Sequence, residues 1–403
     1  MPYNYDILIA GAGPAGCAAA YDLARAGKRV LLLDKRTFPR HKACACGLTR
    51  KTLKALRYSV EPIIERVCHE IVLQPAASDA VQREVRVRTR NPICAMAVRE
   101  RFDEFCLQQT LAMGASLRKI ESIVSLREAD GRVEVNIATS MGIETLEAPV
   151  MIGADGSNGQ MRRLASGLHT SDESTAAALP AEPQWYTRGF ALEATVPYTA
   201  LPAMLPRRDA PHDLIFDFAP LAGGYGWLFP KGSHINIGVG AFVPSGSEDA
   251  HLKSVTRTLL TAYAQTKLGV DTLMDITGQY LGMGGSAYIP RGNVLLAGDA
   301  AGLVDSLTGE GIHSAIVSGQ AAAAAILASA KSGREVTEEY AKRLRPLQET
   351  LAFSQRAAEA FYVRPERGFR VMRTPLLRSL VLKTYSDGLP ATKLLGILSR
   401  IVA

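Results

Sequence analysis

Cysteine is scarce in this chain: six residues, at positions 17, 44, 46, 68, 94 and 106, none in a CxxC spacing. That excludes a disulfide-stapled scaffold and a thiolate metal centre; the six read as reduced thiols of a cytoplasmic protein that binds no metal. No run of 18 uninterrupted apolar residues occurs. The nearest, Ala315 to Ala330, is broken by Ser318, Gly319, Gln320 and Ser329, so a buried helix is expected rather than a membrane span. No secretory leader is visible, because an apolar strand begins within five residues of the start. Internal repeats and low-complexity tracts are lacking too. Charged residues reach only 21% against 47% hydrophobic, which excludes a disordered chain. The net charge of +7 is mild for 403 residues. The basic cluster Lys35, Arg36, Arg40, His41 and Lys42 has no aromatic interleaving, so no nucleic-acid partner is expected.

What is present begins at Tyr5. Tyr5 to Ala10 suits a buried parallel strand, Gly11-Ala12-Gly13-Pro14-Ala15-Gly16 follows at once, and Cys17 to Ala26 reads as a helix ending at Gly27. Arg29 to Leu33 is a second buried strand, closed by Asp34, 23 positions after Gly11. Strand, glycine turn, helix, strand and acid in this order form a dinucleotide site. Gly11 permits the tight turn, Gly13 lets a pyrophosphate approach the backbone, and Gly16 allows close packing of the helix. The helix N-terminus, including Ala15, offers amide groups to phosphate, and Asp34 accepts from ribose hydroxyls. Lys35 and its basic neighbours partly neutralise the pyrophosphate.

Two later segments bear on which dinucleotide binds. Glu147 to Ser157 runs as a strand into Asp155-Gly156. Asn293 to Gly302 is a strand ending in Gly298-Asp299, followed by Asp305 to Ile312 and an alanine-rich helix. Here Asp299 can bond a ribityl chain, and the Gly311 and Ile312 amides can face the polar edge of an isoalloxazine ring.

The three segments together resemble the flavoprotein family that holds p-hydroxybenzoate-hydroxylase-like monooxygenases, flavin halogenases and geranylgeranyl reductases. The resemblance runs from residue 5 to about 330 and implies one bound FAD. Within it, Phe38 to Leu48 is similar to the F-P-R-x-K-x-C-G-x-G-L segment of geranylgeranyl-reductase-like proteins, with Ala45 where glycine is common and Cys46 at a variable place. Gly223 to Lys231 is similar to that branch's Y-x-W-x-F-P segment. The resemblance sets Cys44, Ala45 and Gly47 beside the flavin, Arg99 near its phosphate or ring, and Ile123 near the adenine. Cys44 stays open between a flavin-side position and a small buried thiol. Tyr225 and Trp227 stay open between substrate wall and sheet core; with Cys44 they are the candidates for chemistry. His313 either approaches the flavin or serves packing.

The expected fold is α/β: a Rossmann-like FAD domain from residues 1–73, 100–165 and 280–335, with an inserted, mostly antiparallel sheet domain from 74–99 and 170–280 that binds substrate. Thr170 to Pro183 is expected to be a surface crossover loop. A C-terminal helical region, 336–403, follows. From Phe361 on, eight basic residues face only Glu366 and Asp387, with Leu376, Leu377, Leu380, Val381, Leu394, Leu395, Ile397 and Leu398 among them. This tail either packs on the body or touches anionic lipid. The leading function is FAD-dependent reduction of carbon–carbon double bonds in a long, apolar, isoprenoid-like substrate, with electrons from transient NAD(P)H or a protein donor. The rivals are an oxygen-consuming flavin hydroxylase and a flavin-binding regulator without turnover.

Overall fold

The computed structural model describes residues 5–75, 84–168, 179–202, 213–242 and 250–389. A five-stranded, wholly parallel sheet forms one half, in the order Val294–Leu296, Val150–Gly153, Ile7–Ala10, Val30–Asp34, Ser116–Lys119. Four of its strands are short apolar runs because both faces are covered, whereas the edge strand Ser116–Lys119 is polar and largely exposed. Leu8, Ile9, Leu31, Leu32, Leu295 and Ile152 are sealed from solvent. Each such side chain stabilises by about 1.5–3 kcal/mol relative to exposure. The helices Pro14–Arg25 and Ile312–Ser332 lie against each other. They approach closely because Gly319 has no side chain: a Cβ there would stand 2.2 Å from the Ala15 carbonyl oxygen. Ile312–Ser332 is long and apolar enough, by length and composition, to cross a membrane. Here it packs between Pro14–Arg25 and the helix Val336–Val363.

The second half is a seven-stranded sheet in the order Met274–Met283, Thr187–Pro197, His234–Phe242, Gly224–Pro230, Leu214–Asp217, Glu70–Gln74, Val85–Arg88. Every pairing is antiparallel except Leu214–Asp217 with Glu70–Gln74. Period-two alternation gives this sheet two faces. Leu192, Ala194, Val196, Leu228, Ile235, Ile237 and Val239 form one, covered by the helix Arg257–Leu268 through Leu260 and Ala264. Tyr225, Trp227, Phe229, Phe216 and Phe242 form the other, which turns towards the parallel sheet's helix-bearing loops.

The expected domain limits shift at three places. Glu70–Gln74 belongs to the seven-stranded sheet rather than to the first FAD-domain piece ending at 73. Cys94–Ala97, expected within the 74–99 substrate piece, instead pairs with Gly47–Thr49 and Ile64–Cys68 in a small sheet of their own. Met274–Met283 carries the seven-stranded sheet past the expected limit at 280. Alternation reports that a segment is a strand, not which sheet it joins. Much of the expected crossover loop lies outside the described residues, as do Lys393, Leu394, Leu395, Ile397, Leu398 and Arg400. The described C-terminal helices, Val336–Val363, Pro365–Arg373 and Pro375–Leu382, cap the outer edge of the seven-stranded sheet, where Phe369 meets Val85 and Val87.

Candidate functional site

Between the two sheets runs one continuous cavity of ≈ 1090 Å³. Its floor is the end of the parallel sheet. Ala10 leads into the turn Gly11 to Pro14, and the next strand ends at Asp34. Gly11 adopts φ +96°, and a Cβ on it would lie 2.3 Å from the Ala154 carbonyl oxygen. Gly16 packs against the turn itself, since its Cβ would stand 1.9 Å from the Gly11 carbonyl oxygen. Gly16 therefore shapes the cradle without lining it.

Gly13 differs from both. A Cβ there would meet only the tip of Arg40, at 3.5 Å. Protein packing does not require glycine at this position; the bare backbone faces the cavity, as a pyrophosphate cradle demands. Asp34 is held beside it, its Oδ2 accepting from the Ala12 amide at 2.8 Å and its Oδ1 from the Arg36 amide at 2.8 Å. Each carboxylate oxygen retains a second acceptor position for a hydroxyl. Ile123, from the strand Ser122–Ala129, lines the same end with Lys119 and Ile120.

The middle of the cavity is charged. Asp103 is fully buried and holds two arginines: Arg99 through Nε at 2.7 Å and Arg40 at 3.0 Å. Lys35, Lys42, Cys44, Ala45 and Gly47 line this stretch with them. The Cys44 Sγ accepts from the Cys46 amide at 3.3 Å. Hydrogen bonding from Cys46, with the Arg99 charge behind it, holds the Cys44 thiol below its ordinary range, against the effect of burial. Lys231, also buried, donates to the Ala45 and Ala97 carbonyls and so pins the Cys44 segment to the seven-stranded sheet.

On the far side Asp299 lies in the turn Gly298–Ala301, and Gly311 caps the helix Ile312–Ser332. A Cβ on Gly311 would stand 3.3 Å from Asp299 Oδ1, so the acid and the helix N-terminus share one corner. Asp155, expected in the Asp-Gly turn, accepts from the Gln160 and Met161 amides at 2.6 and 3.0 Å, and its Oδ1 has no partner. His313 is not part of the cavity wall. It lies in the field of Lys51 and Glu310, and burial pushes its imidazole down to about 4.

The roof is aromatic. Tyr225 donates to the Thr308 carbonyl, and Trp227 donates from Nε1 to Asn236 Oδ1 at 2.7 Å. Phe216, Phe229 and Phe242 complete the slot, and Tyr385 closes it from the C-terminal region. The open choice between wall and core has a double answer: Tyr225 and Trp227 are buried sheet residues whose rings also line the cavity. Three further residues shape the site without a sequence motif that assigns them to it. Glu193 is the single acid of the strand Thr187–Pro197, Lys231 directly follows the F-P pair, and Tyr385 carries no local signal.

Residues 4–184 match the FAD binding domain family. The chain is 29% identical to a geranylgeranyl diphosphate reductase of Rhodobacter capsulatus, over 82% of this chain and 77% of that one. It is 30% identical to a menaquinone reductase of Mycobacterium tuberculosis, over 79% and 75%. The chain belongs to the geranylgeranyl reductase-like family of FAD-dependent oxidoreductases. A geranylgeranyl bacteriochlorophyll reductase-like protein from Thermoplasma acidophilum shares the fold, with a TM-score of 0.75 at 20% identity, covering 97% of this chain and 98% of that one. This flavoprotein's cofactor is FAD, and the open face of Gly13, the ordered Asp34 and the unpartnered Asp155 oxygen fit such a group.

Proposed function

We propose that this flavoprotein reduces carbon–carbon double bonds in a long, apolar, isoprenoid-type substrate. The observation that carries the reading is the aromatic slot of Phe216, Tyr225, Trp227 and Phe229, continuous with the dinucleotide cradle in a single cavity. Two relatives named above act on geranylgeranyl diphosphate and menaquinone by name, and both compounds carry isoprenoid chains.

In this reading Gly11, Gly13 and Ala15 cradle the FAD pyrophosphate, with Lys35 and Arg40 offsetting its charge. Asp34 takes the adenosine ribose, Ile123 borders the adenine, and Asp299 takes the ribityl chain. Gly311 and Ile312 present amides to the ring's polar edge, opposite Cys44, Ala45, Gly47 and Arg99. Reduced FAD supplies a hydride. The chain's own residues then have three tasks: to exclude water, to press the alkene flat against the ring, and to furnish a proton. Trp227 and Phe229 perform the first two by walling the slot.

Electrons arrive from NAD(P)H bound transiently or from a protein donor. Gly282 to Gly285, the remaining glycine-rich stretch, runs into the single turn Gly285–Ala287 and extended chain, not into a helix. The protein is cytoplasmic and touches the membrane peripherally through its C-terminal helices. There Val363, Val371 and Leu376 are exposed beside Arg364, Arg367 and Arg370.

The test is anaerobic. Dithionite-reduced protein mixed with geranylgeranyl or polyprenyl-quinone acceptors is expected to reoxidise as a saturated product appears. Reoxidation that requires oxygen and yields a hydroxylated product would sink the reading in favour of a hydroxylase.

A further inference from the structure

The cavity-facing side of the seven-stranded sheet is apolar across its centre, with one acid among its described residues, Glu193. Strand register places it in a row that crosses the sheet: Thr277, Glu193, Gly238, Trp227, Phe216. Glu193 is 8% exposed. Its Oε1 accepts from the Cys44 amide at 2.8 Å, and Asn236, itself fixed by Trp227, hydrogen-bonds the same carboxyl. The group therefore sits where the Cys44 segment meets the aromatic slot.

We propose that Glu193 is the proton donor that completes double-bond reduction. This rests on the reductase reading above.

Three observations carry it. First, no cation contacts the carboxyl among the described residues. Lys231 directs its ammonium at the Ala45 and Ala97 carbonyls and acts on Glu193 only through its field. An acid kept merely for structure in such a place would be paired, because burying an uncompensated carboxylate is costly. Second, it lies where the Cys44 segment meets the aromatic slot, bonded to the Cys44 amide on one side and separated from Trp227 by Gly238 on the other. Third, burial, reinforced by the Cys44 charge, pushes its pKa up to about 7, so a proton is present near neutral pH. The titratable neighbours that face it are Cys44 from the loop and Lys231 from the end of Gly224–Pro230; Thr277 and Asn236 are neutral.

The step balances as follows. The hydride and its electron pair form a C–H bond at one alkene carbon. The π pair forms the second C–H bond with the Glu193 proton, whose O–H bond breaks and leaves carboxylate. The alkene is reduced by two electrons, the reduced flavin is oxidised by two, and solvent returns a proton to Glu193.

The experiment compares wild type, E193Q and E193D in anaerobic single turnover with a polyprenyl alkene, alongside infrared spectra of the flavin-free proteins. E193Q is expected to keep its FAD content and to melt no earlier than the wild type while reoxidation slows by roughly 10²–10⁴-fold. E193D should recover part of the rate. The wild-type rate should fall as pH rises through about 7, and the E193Q rate should lack that limb. The infrared spectrum of the flavin-free wild type should show a protonated carboxyl that ionises over the same range and is missing from E193Q. An E193Q as fast as an active wild type overturns the proposal alone, as does a Glu193 already ionised at mildly acidic pH. A wild type inert towards every polyprenyl acceptor overturns the reductase reading and the donor role with it.

Discussion

The indole of Trp227 lies directly over Gly238, where a Cβ would stand 2.1 Å from the ring. Their strands pair in register, so the missing side chain of one residue is the space that the other occupies. The ring is thereby held flat along the cavity wall, with Nε1 tied to Asn236. Trp227→Ala should leave FAD bound, cost about 3 kcal/mol of stability, at the low end for a truncated core tryptophan because one ring face borders the cavity, and change chain-length preference. Melting curves, flavin content and anaerobic reoxidation with acceptors of graded length measure the three separately. Unchanged kinetics per folded molecule would make the ring sheet core alone.

Gly13→Val should abolish flavin retention without unfolding the chain, since the new side chain points into the cavity rather than into packed protein. Absorbance of the purified protein reads the first, and a melting curve the second. Asp34→Ala should weaken FAD by a smaller step, on the order of 1.5–3 kcal/mol for one charged acceptor. A titration that returns wild-type affinity would remove Asp34 from ribose recognition.

Asp103 binds Arg40 and Arg99 from a fully buried position. Asp103→Asn leaves two guanidinium groups beside a neutral amide and should cost roughly 3–5 kcal/mol. Denaturant unfolding of the flavin-free protein gives the figure. A loss below 1 kcal/mol, on the order of a surface pair, would mean that solvent reaches the cluster.

For Glu193 the sign of the pH effect follows from burial. The folded pKa, about 7, lies above the ordinary 4.5. Its contribution to stability is therefore whole below the ordinary value and is lost as pH rises through about 7. Glu193→Gln should be nearly neutral at acidic pH and stabilising above neutrality by as much as about 3 kcal/mol in the flavin-free protein. Chemical denaturation at both extremes checks it; a pH-independent difference would contradict the buried, unpaired carboxyl.

The basic face of the C-terminal helices predicts binding to anionic vesicles, weaker in high salt and absent with neutral lipid. Replacing Arg364, Arg367 and Arg370 by Glu should abolish co-sedimentation and leave turnover of a detergent-dispersed substrate intact. Equal binding to neutral vesicles would contradict an electrostatic contact.

The dinucleotide cradle was legible in the sequence because its requirements are local. A turn that needs bare backbone at Gly11 and Gly13, a helix that starts at once and an acid at the next strand end lie within one short stretch, and each has a backbone cause. The α/β class and the alternation of Tyr225, Trp227 and Phe229 followed in the same way, while FAD rather than another dinucleotide came from the family resemblance of the later Asp-Gly and Gly-Asp segments. Tertiary structure alone decided the rest. Which sheet claims Glu70–Gln74 or Cys94–Ala97 depends on pairing across more than a hundred residues or on a small separate sheet, and alternation is blind to both. Glu193 in sequence is one acid in a strand of mixed character. It becomes a candidate proton donor only when the Cys44 amide reaches it from 149 residues away and Lys231 turns its charge elsewhere. Tyr385 joins the wall only because the C-terminal region folds back over the cavity. A residue's backbone needs are written next to it in the chain, whereas its burial, its partners and its charge state belong to neighbours that only folding supplies.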